Sequence, residues 1–255
     1  MQCVTIKENQ QTGCSVKEWM RVQDKWHKRL LEIFFPTPCI CPICKTKQPQ
    51  LKMCADCAAL LAQKRRNHGQ CGRCGTYGVR AGVCDNCRDW PAYLVGNHSA
   101  LPYEGNFRQA VLDFKYRGQP WMAQGLAEMM LPLVPEEAEI LIPVPLHPNR
   151  LRQRGFNQSA LLAKALAEQT GLPMTEQALL RIADTPHQTG LSRSKRRQNL
   201  QQAFAVGDRM AIAGRHVLLI DDVLTTGTTI AQCAQVLHQA GARQISSLTI
   251  ASGMK

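Results

Sequence analysis

The stretch Val217–Thr229, VLLIDDVLTTGTT, decides how the rest of the chain is read. Val217, Leu218, Leu219 and Ile220 form an unbroken apolar run, the pattern of a strand covered on both faces in a parallel sheet. Asp221 and Asp222 then fall at its carboxyl end, where open α/β sheets bind ligands. In the following Thr225, Thr226, Gly227, Thr228 and Thr229, the glycine permits a tight turn, and the flanking amides and hydroxyls share one concavity. Such a nest at the start of a helix holds a phosphate. Two carboxylates beside it suit a ribose, each accepting from a ring hydroxyl. A P-loop would need G-x-x-x-x-G-K-[ST], and its lysine is missing here. Taken singly, two acids or a Thr-rich helix start are commonplace; in this unbroken order they point to a sugar-phosphate site.

The segment resembles the phosphoribosyl pyrophosphate (PRPP) motif of type I phosphoribosyltransferases. That resemblance implies a catalytic pair, Asp221 and Asp222, on the ribose 2′- and 3′-hydroxyls, and a 5′-phosphate held by Thr225, Thr226, Gly227, Thr228 and Thr229. It also implies Mg2+ bound with PRPP, bridging pyrophosphate and ribose hydroxyls. Pyrophosphate needs cationic donors as it leaves. Pro143–Ser159, PVPLHPNRLRQRGFNQS, lies between a strand and a helix and offers Arg150, Arg152 and Arg154, a flexible Gly155, and Asn157 and Gln158 at the helix start. The plainer reading of this stretch is a solvated basic loop.

The same stretch resembles the P-V-P-L…R-G-F-N-Q segment of the ComF family, the competence-associated branch that includes the GntX-like proteins. Thr185, Gln188, Leu191, Arg196 and Asn199 match that family's T-x-x-Q-x-x-L…R-x-x-N block, which places Arg196 on the mobile loop that closes over PRPP. The resemblance spans about residues 26 to 253, including the cysteine knuckles. It implies a role in DNA uptake during natural transformation.

The 255 residues carry 31 Lys plus Arg against 19 Asp plus Glu, a formal net charge of +12. Such an excess attracts nucleic acid, anionic membrane surfaces or phosphorylated metabolites. No apolar run approaches the roughly 18 residues of a membrane span, so no transmembrane segment is expected. The N-terminus has Glu8, Glu18 and Asp24 and no apolar h-region, which argues against a secretory signal. A cytoplasmic location follows, with peripheral membrane contact left open by a basic amphipathic segment, Trp26–Phe35; packing of that segment on the ribbon described next is the favoured alternative. In a reducing compartment thiols are metal ligands before they are disulfides.

Eight of the twelve cysteines form four C-x2-C pairs: Cys41 and Cys44, Cys54 and Cys57, Cys71 and Cys74, Cys84 and Cys87. The last two pairs repeat the first two at a constant offset of 30, with nine residues between pairs in each unit. This is a duplicated module. Two such turns complete the four-thiolate tetrahedron of a structural Zn2+ site, so two zinc ions are expected. A redox dithiol explains one C-x2-C but not four in register. Sequential pairing makes a tandem double ribbon and is favoured; cross-brace pairing would interleave the units.

The expected fold class is α/β, a type I phosphoribosyltransferase-like parallel sheet flanked by helices and preceded by a small zinc-ribbon domain. The boundaries read as an extension with a short amphipathic helix at 1–38, the double ribbon at 39–92 and the phosphoribosyltransferase-like domain at 93–255. Any cap over a base must come from about 93 to 130. Three functional readings remain open. The first is a PRPP-binding protein of DNA uptake that works with single-stranded DNA, contacted through Lys64–Arg66, Arg150–Arg154 and Arg193–Arg197, with Tyr77, Trp90, Tyr103 or Tyr116 stacking on bases. The second is a salvage phosphoribosyltransferase releasing pyrophosphate. The third is a non-catalytic scaffold for helicase or recombination proteins of the competence machinery.

Overall fold

The structure, a computed structural model, describes residues 39–79, 82–183 and 203–253. The Trp26–Phe35 helix, the extension before it, and the Thr185–Asn199 block with Arg196 lie outside the described residues. From Cys39 onward the chain forms one compact unit.

The strands are β1 (Leu94–Pro102), β2 (Ile140–Pro143), β3 (Leu179–Arg181), β4 (Phe204–Val206), β5 (His216–Leu224) and β6 (Gln244–Ser252). The quoted apolar run makes β5 an inner strand of a four-stranded sheet in the order β1-β6-β5-β2, parallel at every pairing. β3 and β4 form a separate antiparallel pair. One expectation is corrected: β5 does not end at the acidic pair. Asp221 pairs with Thr249, and Val223 and Leu224 still pair with Ala251 and Ser252. Both carboxylates are therefore held by ladder bonds on either side of them.

The helices are α1 (Ala55–Asn67), α2 (Asp85–Arg88), α3 (Gly105–Tyr116), α4 (Met122–Met130), α5 (Pro148–Arg154), α6 (Gln158–Thr170) and α7 (Thr228–Gln239). Among the described residues no helix is long and apolar enough to cross a membrane. α5 replaces the loop expected before α6. Pro148 starts it, His147 caps it by accepting from the Asn149 amide, and Gly155 ends it at φ 80. Proline at the first position and glycine just past the end favour such a turn of helix.

Side chains alternate across a strand, and β5 shows it. Leu218 and Ile220 join Phe107, Phe114, Leu126 and Leu162 from α3, α4 and α6 in one core cluster. Val217 and Leu219 join Leu179, Phe204, Ile230 and Leu237 from the β3–β4 pair and α7 in another. The duplicated cysteine modules divide the same way. Cys41, Ile43, Cys54 and Cys57 of the first belong to the α3 side, whereas Cys71, Cys74, Cys84, Cys87 and Trp90 of the second belong to the α7 side.

β1 carries buried polar residues that pair with β6. Ser99 Oγ lies 2.7 Å from Thr249 Oγ1, and Ser247 Oγ donates to Asn97 Oδ1 at 2.8 Å. The outer side of β1 is covered by the cysteine modules: the Asn97 amide donates to Arg73 O at 2.9 Å, and Arg65 and Tyr77 both donate to Ala100 O. At Gly96 a Cβ would come within 2.6 Å of Arg73 O, so this close approach requires glycine. β2, at the opposite edge, exchanges bonds with a passing segment, Leu141 N to Pro173 O and Thr175 N to Leu141 O.

Candidate functional site

Successive strand residues diverge, and the two carboxylates accordingly meet different partners. Asp222 Oδ1 is 2.9 Å from Lys115 Nζ at the end of α3, and both side chains are 15% exposed. Burial works against the Lys115 ammonium, but the charges of Asp222 and Asp221 outweigh it and hold its pKa above the ordinary lysine value. Asp221 Oδ1 accepts from Ser159 Oγ at 3.0 Å and from the Asp222 amide at 2.9 Å. Desolvation, with the charge of Asp222 beside it, nevertheless pushes the Asp221 carboxyl up to about 7. The pair is thus one lysine-bound acid next to one poised to titrate at neutral pH.

The small-residue turn follows directly. Gly227 precedes α7 at φ 74 and ψ 0, and no side chain caps the helix. The first-turn amides have no partner within the helix, so they point into the turn with the macrodipole behind them, an arrangement that favours an anion. Thr226 and Thr228 hydroxyls are hydrogen-bonded at 2.9 Å across the glycine. Gly227 itself is covered: a Cβ there would lie 2.6 Å from Cζ2 of Trp90.

The proposed pyrophosphate donors are spread over α5 and the start of α6. Arg152 is exposed and Arg150 half-buried. Arg154 lies over the Tyr116 ring at 5.0 Å and donates to Gln158 Oε1 at 3.2 Å. The Asn157 side chain is spent inside the protein, accepting from the Ser159 amide and donating to Val144 O. Buried Gln158 donates to Lys115 O at 3.1 Å. These two amides therefore fix the start of α6, and with it Ser159, relative to α3 and β2.

The eight C-x2-C cysteines fall into two groups that could each hold a metal ion, Cys41, Cys44, Cys54, Cys57 and Cys71, Cys74, Cys84, Cys87, each with all four Sγ atoms within 4.8 Å of one another. Sequential pairing is the observed one. The Cys44–Cys54 and Cys74–Cys84 sulfurs are 3.6 and 3.7 Å apart, close to the edge of about 3.8 Å of a tetrahedron with metal–sulfur bonds of about 2.3 Å. The duplication is exact in backbone detail. Cys41 N donates to Thr46 O as Cys71 N does to Thr76 O, and Lys45 and Gly75 both take φ 65. In each module the amide of the third cysteine donates to the first sulfur, Cys54 to Cys41 and Cys84 to Cys71. The Thr46 hydroxyl lowers the Cys44 pKa to about 6, and a hydrogen bond with Cys87 leads those that lower Cys74 to about 5.

Residues 158–255 match the family model described as the phosphoribosyl transferase domain, the part that contains α6, the acidic pair and the turn. Competence protein F of Haemophilus influenzae is 31% identical over 189 residues, 69% of this chain and 81% of that protein. The chain belongs to the competence protein F family. Two further ComF relatives agree: DNA utilization protein YhgH of Salmonella typhimurium, 30% identical over 76% of this chain and 87% of its own length, and competence protein ComFC of Bacillus subtilis, 27% identical over 80% and 85%. Among solved structures, a glutamine PRPP amidotransferase from B. subtilis aligns with TM-score 0.39 and 22% identity, over 55% of this chain and 30% of that one.

In this ComF chain the structure adds Lys115, Ser159 and Trp90 to the residues around the motif. Lys115 stands out in the sequence only as a lysine at a helix end; Trp90, expected as a base-stacking candidate, is instead buried against Gly227. Ser159 follows the Asn-Gln pair that had drawn attention instead.

The Asp221 titration has a measurable consequence. The folded chain keeps a proton that the unfolded chain has released between about pH 4 and 7. The stabilisation from this carboxyl is therefore complete below about pH 4 and lost as pH rises through about 7. A hydroxyl ligand is best accepted by the ionised form. PRPP affinity is accordingly expected to rise on going from about pH 6 to 8, and Asp221→Asn to flatten that rise. Calorimetry across this range checks both.

Proposed function

We propose that this chain binds PRPP with Mg2+ at the C-terminal end of β5 and acts in DNA uptake, alongside single-stranded DNA. The observation that carries the reading is the continuous sequence of a lysine-bound acidic pair, a glycine turn and an uncapped helix N-terminus on one inner strand. The names of the relatives, competence protein F and DNA utilization protein, support the DNA side.

In this reading Asp221 and Asp222 accept from the ribose hydroxyls, and Asp222 releases Lys115 toward the pyrophosphate as the sugar arrives. Thr225–Thr229 hold the 5′-phosphate. Arg150, Arg152 and Arg154, with Arg196, neutralise pyrophosphate, while Asn157, Gln158 and Gly155 set the start of α6, against which Arg154 at the end of α5 is held. Magnesium, when bound with carboxylates and substrate phosphates, supplies charge against the departing pyrophosphate. The cysteine groups suit Zn2+ with all four positions filled by sulfur, which makes them structural. Residues 39–92 are then the double ribbon and 93–255 the phosphoribosyltransferase-like domain.

Calorimetric titration of PRPP with Mg2+, with and without single-stranded DNA, tests the reading. Saturable, Mg2+-dependent PRPP binding is expected, together with DNA binding that weakens steeply with salt. Folded, zinc-loaded protein that ignores PRPP would sink it. Pyrophosphate release with one of a panel of bases would move the chain to the salvage transferases.

A further inference from the structure

The second cysteine module does more than fill a corner of the core. Trp90 follows Cys87 by three residues, and its amide donates to Cys87 O at 3.1 Å. Arg73, between Cys71 and Cys74, locks the same stretch. Its guanidinium donates to Cys87 O, Pro91 O and Leu94 O at 2.9–3.0 Å and lies 5.9 Å from the Trp90 ring centroid. The ring, 8% exposed, then ends against Gly227, where it fills the space a Cβ would need. Gly227 holds a left-handed conformation that a free chain has no reason to keep. Among the described residues, its two chain neighbours aside, the three atoms nearest the Gly227 Cβ position all belong to Trp90.

We propose that Trp90 is a positioning residue of the phosphate turn: through this ring the second cysteine module holds the Gly227 turn in the shape that receives an anion. The inference rests on the reading of that turn as a phosphate cradle. In the first module the corresponding turn points elsewhere: Lys45 pairs with Asp113 in α3 at 3.7 Å.

Two variants and one optical measurement test it. Trp90→Leu leaves an apolar filler without a ring over the glycine, and PRPP affinity is expected to fall roughly tenfold, the cost of ordering about one freed backbone residue. Trp90→Phe, which keeps a ring there, is expected to restore most of it at equal zinc content. The chain has four tryptophans, so replacing Trp19, Trp26 and Trp121 by Phe leaves Trp90 as sole emitter. Its fluorescence is expected to change saturably with PRPP at the calorimetric Kd. Trp90→Leu protein that binds PRPP within about twofold of the wild type, or an emission indifferent to PRPP that the wild type binds, overturns the proposal. Wild-type protein that binds no PRPP overturns instead the phosphate-cradle reading beneath it.

Discussion

The double variant Asp221→Asn, Asp222→Asn is expected to lose PRPP binding by at least ~100-fold, because two charge-assisted hydrogen bonds are each worth about 1.5–3 kcal/mol. The single variants separate in stability in a way that follows from their partners. Asp221 sits desolvated beside a like charge, so Asp221→Asn removes an unfavourable ionisation and is expected to leave stability at neutral pH unchanged or raised. Asp222 neutralises Lys115, and both are 15% exposed. Asp222→Asn strands that ammonium and is expected to cost about 2–3 kcal/mol, somewhat below the 3–5 of a fully buried pair. Adding Lys115→Met to Asp222→Asn is then expected to recover most of the loss without recovering PRPP. Urea unfolding beside calorimetry measures both quantities, and equal destabilisation by the two single variants would contradict this account of the site.

Removal of the zinc proposed for the cysteine groups is expected to have the larger effect on the fold. Structural zinc in four-ligand peptides contributes about 10–16 kcal/mol, comparable with the whole stability of a domain, about 5–15 kcal/mol. Here the cysteine groups also belong to the two core clusters on either side of the sheet. Four thiols drawn toward one point and left without a cation would open both. Chelation followed with a zinc-binding indicator dye is expected to release two equivalents of zinc and to lower Tm by more than ~10 °C, given about 2–4 °C per kcal/mol at this size. Metal-free protein that unfolds at the holo temperature would show that the cysteines serve another purpose.

Much of this was legible because it is local. Four consecutive apolar residues announce a buried strand, and Cys spacings repeated at a fixed offset announce a duplicated module whose pairing the structure bears out. β1 escaped because Asn97 and Ser99 break its apolar pattern; their partners are Thr249 and Ser247 on β6, a polar ladder no window of sequence displays. α5 was readable in principle from Pro148 and Gly155, but its three arginines drew the eye to charge. The Lys115–Asp222 pair and the Trp90–Gly227 contact join segments far apart in the chain. Only topology brings them together, and local pattern carries no trace of it.

The covering of the sheet margins has a consequence for how this molecule meets others. An exposed edge strand invites a strand from a neighbour. At β1 the outward groups of Asn97 and Ala100 are already bonded to Arg73, Arg65 and Tyr77, and at β2 Leu141 is bonded to Pro173 and Thr175. Among the described residues, then, neither margin offers these groups for intermolecular β-addition. Because the β1 cover is built from the cysteine modules, loss of the proposed metal would uncover a template for self-association, and aggregation would accompany unfolding rather than merely follow it.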